Sequence, residues 1–255
     1  MYAYSQGVGS AREVARRCEY DPAFQWLTGL DEVNYHTLAD FRVEKQRELD
    51  ELFTQVLAAL SKEGLITLEQ VMQDGTKIKA QASTRSFQRE GTIQGHLVRA
   101  RRCVAEMGDP RNEETSPKAK QAQARARRQQ QERLESALEE LQKLQARKSG
   151  EKAKSEARVS TSDPQARVMK QSDGGLALSY NAQISTDAAN GLIIEAAVTQ
   201  EANDSAQLLP AVERIADRLE KKPQQMVADG SYTTRDNIEK MAGRGNWGQR
   251  ISLSA

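Results

Sequence analysis

Two aspartates, each ending a short apolar run and followed by glycine, are the residues of this sequence best suited to chemistry. Asp74 lies in the stretch VMQDGTKIKA at 71–80, and Asp229 lies in a near copy, MVADG, at 226–230. Each run predicts a buried strand, and the glycine allows a ligand to approach the backbone closely. Two carboxylates on neighbouring strands are the hard oxygen ligands that paired divalent cations need to cleave a phosphodiester bond. The pattern predicts such a site if folding brings Asp74 and Asp229 together, which periodicity alone does not require.

Composition limits the class of protein. The chain has 255 residues, 38% of them hydrophobic and 29% charged, which suggests one domain with an insertion or two domains, with part of the chain thinly packed. No apolar run approaches the about 20 residues of a membrane helix, and the N-terminus does not resemble a signal peptide. Cys18 and Cys103 are isolated and lack a metal-ligand spacing. A cytoplasmic protein with reduced thiols and no membrane partner is predicted.

The net charge of +1 hides an uneven distribution. Residues 85–170 carry 20 Lys and Arg against 12 Asp and Glu, and the remainder carries 17 against 24. A basic middle beside an acidic core fits an enzyme that holds a polyanion next to a carboxylate cation site. A solvated helical arm is the alternative explanation of the same charges.

Short helices are predicted over residues 10–64. Ser10 with Glu13 forms a capping-box pattern, and Thr37 with Asp40 repeats it. The other boundary signals are Asp21-Pro22 before the second helix, Gly29 after it and Gly64 after the fourth, whose apolar face is Leu49, Leu52, Phe53, Val56, Leu57 and Leu60. The aromatic residues Phe24, Trp26, Tyr35 and Phe41 are expected to form the small core of this cluster. Such a cluster either enters a DNA groove or serves only as a packing unit.

A strand over 65–80 is followed by a basic helical hairpin. Its first helix has an apolar face at Ile93, Leu97, Val104 and Met107, and Gly108-Asp109-Pro110 ends it. The second helix is predicted over 117–148, with Leu134, Leu138, Leu141 and Leu144 as a seam. The seam is interpreted as the hairpin's own packing rather than as an oligomerisation zipper.

The second half of the chain predicts the rest of a sheet. Residues 149–173 are expected to be a linker. Strands are predicted at 180–187 and 192–199, joined by a turn at Asn190-Gly191. A helix from Ser205, a strand over 226–229 and a helix over 236–242 follow. A strand hairpin with a helical crossover to a fourth strand predicts a mixed sheet.

Several stretches together resemble the insertion-sequence transposases of the DDE class, whose catalytic core is ribonuclease H-like. DGTKIKA at 74–80 resembles the strand with the first acid, and DPQAR at 163–167 with YNAQ at 180–183 resembles the second strand. The third strand, helix and second acid are matched by TQEANDS at 199–205 and VADGSY at 227–232, and the N-terminal region by FQWLTG at 24–29 and residues 37–42. The likeness extends to about Arg244; each piece is weak alone, but the set is specific.

The resemblance implies an α/β (α+β) fold with a ribonuclease H-like mixed sheet, an N-terminal helical domain and an inserted α-helical hairpin arm. The implied divisions are 1–64 for the helical, DNA-binding domain, 65–85 for the first catalytic strand, 86–160 for the hairpin, 161–245 for the rest of the core and 246–255 for a divergent tail.

The resemblance also implies a bacterial DNA transposase that cuts and rejoins DNA at insertion-sequence ends. Asp74 and Asp229 would be catalytic and bind Mg²⁺ (or Mn²⁺). The implied partners are double-stranded DNA with terminal repeats and a second copy of the chain, in the cytoplasm beside the nucleoid. Expected DNA contacts are Lys77, Lys79, Arg99, Arg101 and Arg102. Solubilising strand-edge lysines are the alternative for Lys77 and Lys79.

The sequence departs from the family at its third acid, a glutamate expected well downstream of the second aspartate. A C-terminally truncated or frameshifted copy, also short at its N-terminus, is the expected explanation. Glu239 has part of a related signature with Tyr232 and Arg235, but Asn246 stands where a lysine is expected, so a solvated helix face is preferred. Glu195 is expected to be an outward-facing strand acid, and no metal is assigned to His36 or His96.

Three functions follow from these expectations. The first is a transposase or its remnant, weakly active or inactive for want of the third carboxylate. The second is a catalytically inactive DNA-binding fragment that occupies DNA ends. The third, a structural coiled-coil protein built around the hairpin, leaves the paired Asp-Gly strands unexplained.

Overall fold

The structure is a computed structural model, and it describes residues 2–80, 82–106, 117–232, 234 and 251–253. The chain divides into two compact units, residues 1–67 and residues 68–255. The first is helical. The second is a mixed α/β unit with a mixed sheet, as the alternation of strand and helix patterns predicted. No helix within the described ranges is long and apolar enough to cross a membrane.

The first unit contains five described helices. They are α1 (Tyr2–Ser5), α2 (Ala11–Tyr20), α3 (Pro22–Thr28), α4 (Tyr35–Glu44) and α5 (Gln46–Lys62). The Ser10 side chain caps α2 by accepting from the Glu13 N–H, and Gly29 ends α3 in a left-handed conformation, as predicted. The capping box predicted at Thr37 is wrong, because Asn34 caps α4 and Thr37 lies inside the helix. Asn is as good an N-cap as Thr, so the earlier of two adjacent signals is used.

The core of the first unit differs from the predicted aromatic cluster. Its main buried cluster consists of Val8, Val14, Cys18 and Phe24, and Leu57 and Ile66 are buried elsewhere in the unit. Only Phe24 belongs to the predicted set, since Trp26 is 82% exposed and Phe41 is 50% exposed. Small aliphatic side chains from α2 and the segment before it pack around Phe24, so the aromatic content of the sequence overstated the aromatic content of the core.

The main sheet of the second unit has six described strands. These are β1 (Gln70–Lys79), β4 (Arg167–Lys170), β5 (Leu176–Asp187), β6 (Leu192–Thr199), β7 (Gln225–Ala228) and β8 (Ile251–Leu253). β1 lies between β5 and β7, antiparallel to β5 and parallel to β7; β8 continues the sheet beyond β7, and β4 and β6 both pair with β5. The predicted hairpin turn at Asn190-Gly191 joins β5 to β6, with Gly191 at φ +66°. The first strand begins at Gln70, later than the predicted residue 65.

The chain between β1 and β4 forms helices and a two-stranded sheet outside the main sheet. It contains β2 (Phe87–Arg89), α6 (Glu90–Ala105), α7 (Pro117–Ala146), α8 (Glu151–Ser155) and β3 (Arg158–Ser160). The region predicted as a linker, 149–173, is therefore structured, because α8, β3 and β4 fall within it. Such segments of three to five residues are too short to show a hydrophobic period.

Helices α6 and α7 pack side by side in opposite directions. Their buried contact is formed by Ile93, Leu97, Ala100, Leu134, Ala137 and Leu141. Arg101 pairs with Glu135 near the far end, and Gln145 donates to Glu90 near the start of α6. The predicted leucine seam is thus used between the two helices. The predicted break at 108–110 lies outside the described residues.

Helix α9 (Leu208–Leu219) connects β6 to β7 and packs against β6 on one face of the sheet. It begins three residues later than the predicted Ser205. The prediction that Glu195 faces outward is wrong: Glu195 is 2% exposed and accepts from Arg214 and Arg218 of α9. A β-bulge between Ser185 and Thr186 shifts the pairing of β5 with β6, which is why simple alternation misassigned this residue. The helix predicted over 236–242 lies outside the described residues.

Candidate active site

Asp74 lies on β1, and Asp229 directly follows the last residue of the adjoining strand β7. The parallel register of β1 and β7 ends with Gln73 opposite Ala228, the residues that directly precede the two aspartates. Residues that are in register on parallel strands point to the same face, so Gln73 and Ala228 share a face, and alternation along β1 directs Asp74 to the opposite one. Each aspartate is exposed, whereas the preceding Gln73 and Ala228 are buried. The crossover through α9 places β7 beside β1, so the residues that precede the two aspartates lie opposite each other despite their long separation in sequence.

One oxygen of each carboxylate has a local hydrogen bond. Asp74 Oδ1 accepts from the Gly75 N–H at 2.7 Å, and Asp229 Oδ1 accepts from the backbone N–H and hydroxyl of Ser231. Within the described ranges, the second oxygen of each aspartate has no hydrogen bond. The local bonds fix the orientation of both carboxylates and leave an oxygen on each available for a ligand.

A buried polar network lies on the opposite face of β1, directly behind Asp74. Gln183 is at its centre: its Oε1 accepts from Gln73 Nε2 at 2.9 Å and from the Tyr232 hydroxyl at 2.7 Å. Its Nε2 donates to Asn181 Oδ1 at 3.0 Å and to Asp204 Oδ1 at 2.7 Å. All four hydrogen bonds available to a glutamine amide are therefore made, as burial requires.

Gly75 provides the space for this network. A Cβ at this position would lie 2.6 Å from Asp204 Oδ1, 2.6 Å from Gln183 Nε2 and 2.9 Å from the Tyr232 hydroxyl. No real Cβ contact is this short, so the glycine after Asp74 is explained by polar side chains packed against the strand. The sequence predicted that a ligand approaches the backbone at this glycine, whereas the groups that approach it in the structure are side chains of the protein itself.

Tyr232 is held as a hydrogen-bond donor. Burial, followed by the nearby charge of Asp204, raises the pKa of its hydroxyl above the ordinary value. The phenol stays protonated at neutral pH and donates to Gln183. Since Tyr232 is only three residues after Asp229, this bond ties the turn that follows β7 to the centre of the sheet.

The cations predicted to contact DNA have different surroundings. Lys77 Nζ lies 3.2 Å from Asp204 Oδ1, and both side chains are 18% exposed, so this charge is engaged within the network. Lys79 is largely exposed, 3.8 Å from Asp173. On α6, Arg101 pairs with Glu135 and Arg102 with Glu106, while Arg99 is exposed and has no ion pair within the described residues.

Sequence reasoning did not assign a role to Gln183, Asp204 or Tyr232. All three lie within stretches that resemble the transposase motifs, YNAQ, TQEANDS and VADGSY, which was the available signal. The polar type of Gln183 on a strand indicates a solvent-facing position by simple alternation, and only the fold shows that this face is covered.

The paired aspartates fit a divalent cation of the Mg²⁺ type. Mg²⁺ is commonly held by one or two carboxylates and completes its shell with waters and substrate phosphates. Among the described residues, no group of three or more His, Cys, Asp or Glu side chains is placed to hold a metal. The donor set at Asp74 and Asp229 therefore suits a cation that is shared with a phosphate ligand.

No family model matches this chain, and no curated protein or solved structure shows a significant similarity to it. The likeness to the DDE transposases therefore rests on the sequence motifs themselves.

Proposed function

We propose that this protein is a DNA-binding protein of the DDE transposase type, with a ribonuclease H-like sheet that presents Asp74 and Asp229 to a divalent cation and DNA phosphate. The observation that carries the proposal is the parallel register of β1 with β7, which ends with Gln73 opposite Ala228, the residues directly before Asp74 and Asp229. The crossover from β6 through α9 to β7 supports the same sheet topology, because it inserts β7 beside β1.

The chemistry proposed for bound Mg²⁺ or Mn²⁺ is activation of an attacking hydroxyl and stabilisation of the leaving oxygen of a phosphodiester. Asp74 and Asp229 contribute carboxylate oxygens whose orientation is set by the Gly75 and Ser231 N–H groups. Their exposure leaves room for a DNA backbone on the same face.

The basic helical hairpin, proposed as an arm that contacts DNA, supplies the cations that Lys77 does not. Residues 117–133 of the sequence carry six Lys and Arg and one acid, and Arg99 on the neighbouring α6 is exposed. Lys and Arg that neutralise phosphates release counterions, so binding through this arm would weaken as salt rises.

The test measures binding of duplex DNA by fluorescence anisotropy over a series of salt concentrations, without and with Mg²⁺. We expect the logarithm of the binding constant to fall linearly with the logarithm of salt concentration. Replacing Arg99 and Arg128 by Gln should reduce that slope by about 2, because two phosphate contacts are lost. The matched control removes the same charge outside the hairpin, with Lys221→Gln and Lys222→Gln, and should leave the slope near the wild-type value. Failure of the wild type to bind duplex DNA at low salt would refute the proposal.

A second candidate function is DNA binding without cleavage. It is favoured by the absence of a third acidic ligand beside Asp74 and Asp229 in the part of the chain that the structure describes. Incubation of DNA carrying insertion-sequence terminal repeats with Mg²⁺ or Mn²⁺ separates the two. Strong binding with weak or no nicking supports this candidate, whereas robust nicking that is abolished in Asp74→Ala supports the enzyme.

A further inference from the structure

We infer that Tyr232 is a positioning residue, which holds Asp229 beside Asp74 through its hydrogen bond to Gln183. The inference rests on the proposed cation site and adds the element that sets its geometry. It concerns a side chain whose hydroxyl lies on the opposite face of β1 from Asp74, so Tyr232 acts through Asp229 rather than on a ligand.

Tyr232 and Asp229 belong to a single tight turn. The Asp229 carboxylate accepts from the N–H and hydroxyl of Ser231, and the Asp229 carbonyl accepts from the Tyr232 N–H at 3.2 Å. These bonds close a short 3₁₀ turn, Gly230–Tyr232, directly after β7. Fixing the ring of Tyr232 therefore fixes the backbone from which the Asp229 side chain projects.

Tyr232 bonds to Gln183, whose side-chain amide makes all of its possible hydrogen bonds. Gln183 is buried on β5 opposite Gly75, the residue after Asp74, and its amide makes four hydrogen bonds. The Tyr232 hydroxyl is one of the two donors to its Oε1. The hydrogen bond from Tyr232 to Gln183 thus connects the turn that contains Asp229 to strands β1 and β5, the first of which contains Asp74.

A positioning device is needed because two neighbouring carboxylates repel each other before a cation is bound. β7 ends at Ala228, so the ladder of backbone hydrogen bonds does not restrain Asp229. Loss of the Tyr232 bond to Gln183 weakens the restraint on the turn, so Asp229 can move away from Asp74 and cation binding must include the cost of bringing it back.

The experiment measures Mn²⁺ affinity by electron paramagnetic resonance in wild type, Tyr232→Phe, Tyr180→Phe and Asp74→Asn. Tyr232→Phe keeps the buried ring and removes only the hydroxyl. We expect its Mn²⁺ dissociation constant to rise about tenfold, the size typical of residues that orient metal ligands. Tyr180→Phe is the matched control. Tyr180 lies on β5, and its hydroxyl donates to Asp163 at 2.5 Å rather than to a residue of the Gln183 network. This substitution should leave Mn²⁺ affinity unchanged.

The outcomes separate the inference from the proposed function. If Asp74→Asn lowers Mn²⁺ affinity and Tyr232→Phe does not, the cation site stands and the positioning role is overturned. Equal weakening of Mn²⁺ binding in Tyr232→Phe and Tyr180→Phe also overturns the positioning role, since loss of either tyrosine hydroxyl would then lower Mn²⁺ affinity. If Asp74→Asn binds Mn²⁺ like the wild type, the proposed cation site fails and the inference fails with it. Weakening confined to Asp74→Asn and Tyr232→Phe, with thermal unfolding of Tyr232→Phe matching Tyr180→Phe, supports the inference.

Discussion

At the scale of single residues, Asp74 and the glycine that follows it face opposite sides of the sheet. Asp74 projects to the exposed face, while on the other face the missing side chain of Gly75 leaves space for Asp204, Gln183 and Tyr232. In the Asp74-Gly75 pair, the first residue supplies an exposed carboxylate and the second allows polar side chains to pack closely against the other face of the strand. The sequence identified both members of the pair, but not the groups that fill the space.

Replacing Gly75 by Ala tests this packing. The new methyl group would lie 2.6 to 2.9 Å from three buried polar atoms, so we expect a loss of roughly 1–3 kcal/mol in the free energy of unfolding. The measurement is urea denaturation followed by circular dichroism. Gly95→Ala is the control, since that helical position has nothing within 4 Å of an added Cβ and should gain up to about 1 kcal/mol. A Gly75→Ala variant as stable as the wild type would show that the network adjusts freely.

At the scale of elements, a buried ion pair attaches helix α7 to the sheet. Glu140 of α7 is buried and accepts from Arg167 of β4 at 2.6 Å and from Lys143 at 2.8 Å. Arg167 also donates to the carbonyl of Pro164, which fixes the segment that enters β4. The orientation of the basic hairpin relative to β4 therefore depends on this contact.

The pH dependence of stability should reveal the ion pair. Burial raises the pKa of Glu140, but the hydrogen bonds from Lys143 and Arg167 outweigh burial and leave the pKa below its ordinary value. A carboxyl group with a lowered pKa stabilises the fold above its ordinary pKa of 4.5, and this contribution is lost as the pH falls through the lowered value. Glu140→Gln should lower the free energy of unfolding by about 1–3 kcal/mol at pH 7 and by less at pH 3.

Urea denaturation at pH 7 and at pH 3 measures this difference. Glu135→Gln is the matched control, because its pair with Arg101 is more exposed, and it should change stability little at pH 7. An equal loss for Glu140→Gln at both pH values would contradict the assignment of the ion pair.

The elements that the sequence predicted well are those with a long hydrophobic period or a strong boundary signal. Helices α5 and α7 and the β5–β6 hairpin with its Asn-Gly turn fall close to the expected positions. The short strands β3 and β4 were missed because three or four residues carry no period, and their pairing depends on distant partners. Glu195 was misplaced for a related reason, since the bulge leaves Ile194 of β6 without a partner on β5, and such an extra residue cannot be recognised from alternation alone.

At the scale of the whole molecule, the distribution of charge agrees with the proposal that the hairpin contacts DNA and the acidic remainder binds the cation. Residues 85–170 hold an excess of Lys and Arg, and the rest of the chain holds an excess of Asp and Glu. The proposed cation site and the basic hairpin belong to one compact unit, residues 68–255. The mixed sheet was expected from the order of strand and helix patterns, but the register of β1 with β7, up to the residues before Asp74 and Asp229, required the folded chain.

Binding of Mn²⁺ to Asp74→Asn and Asp229→Asn tests the central claim most directly, because a shared site makes the two substitutions equivalent. The wild type should bind Mn²⁺, and each single substitution should remove most of that binding while secondary structure stays intact. Asp173→Asn, which alters an exposed acid paired with Lys79, should bind like the wild type. Retention of wild-type Mn²⁺ affinity in Asp74→Asn or in Asp229→Asn would contradict the shared site.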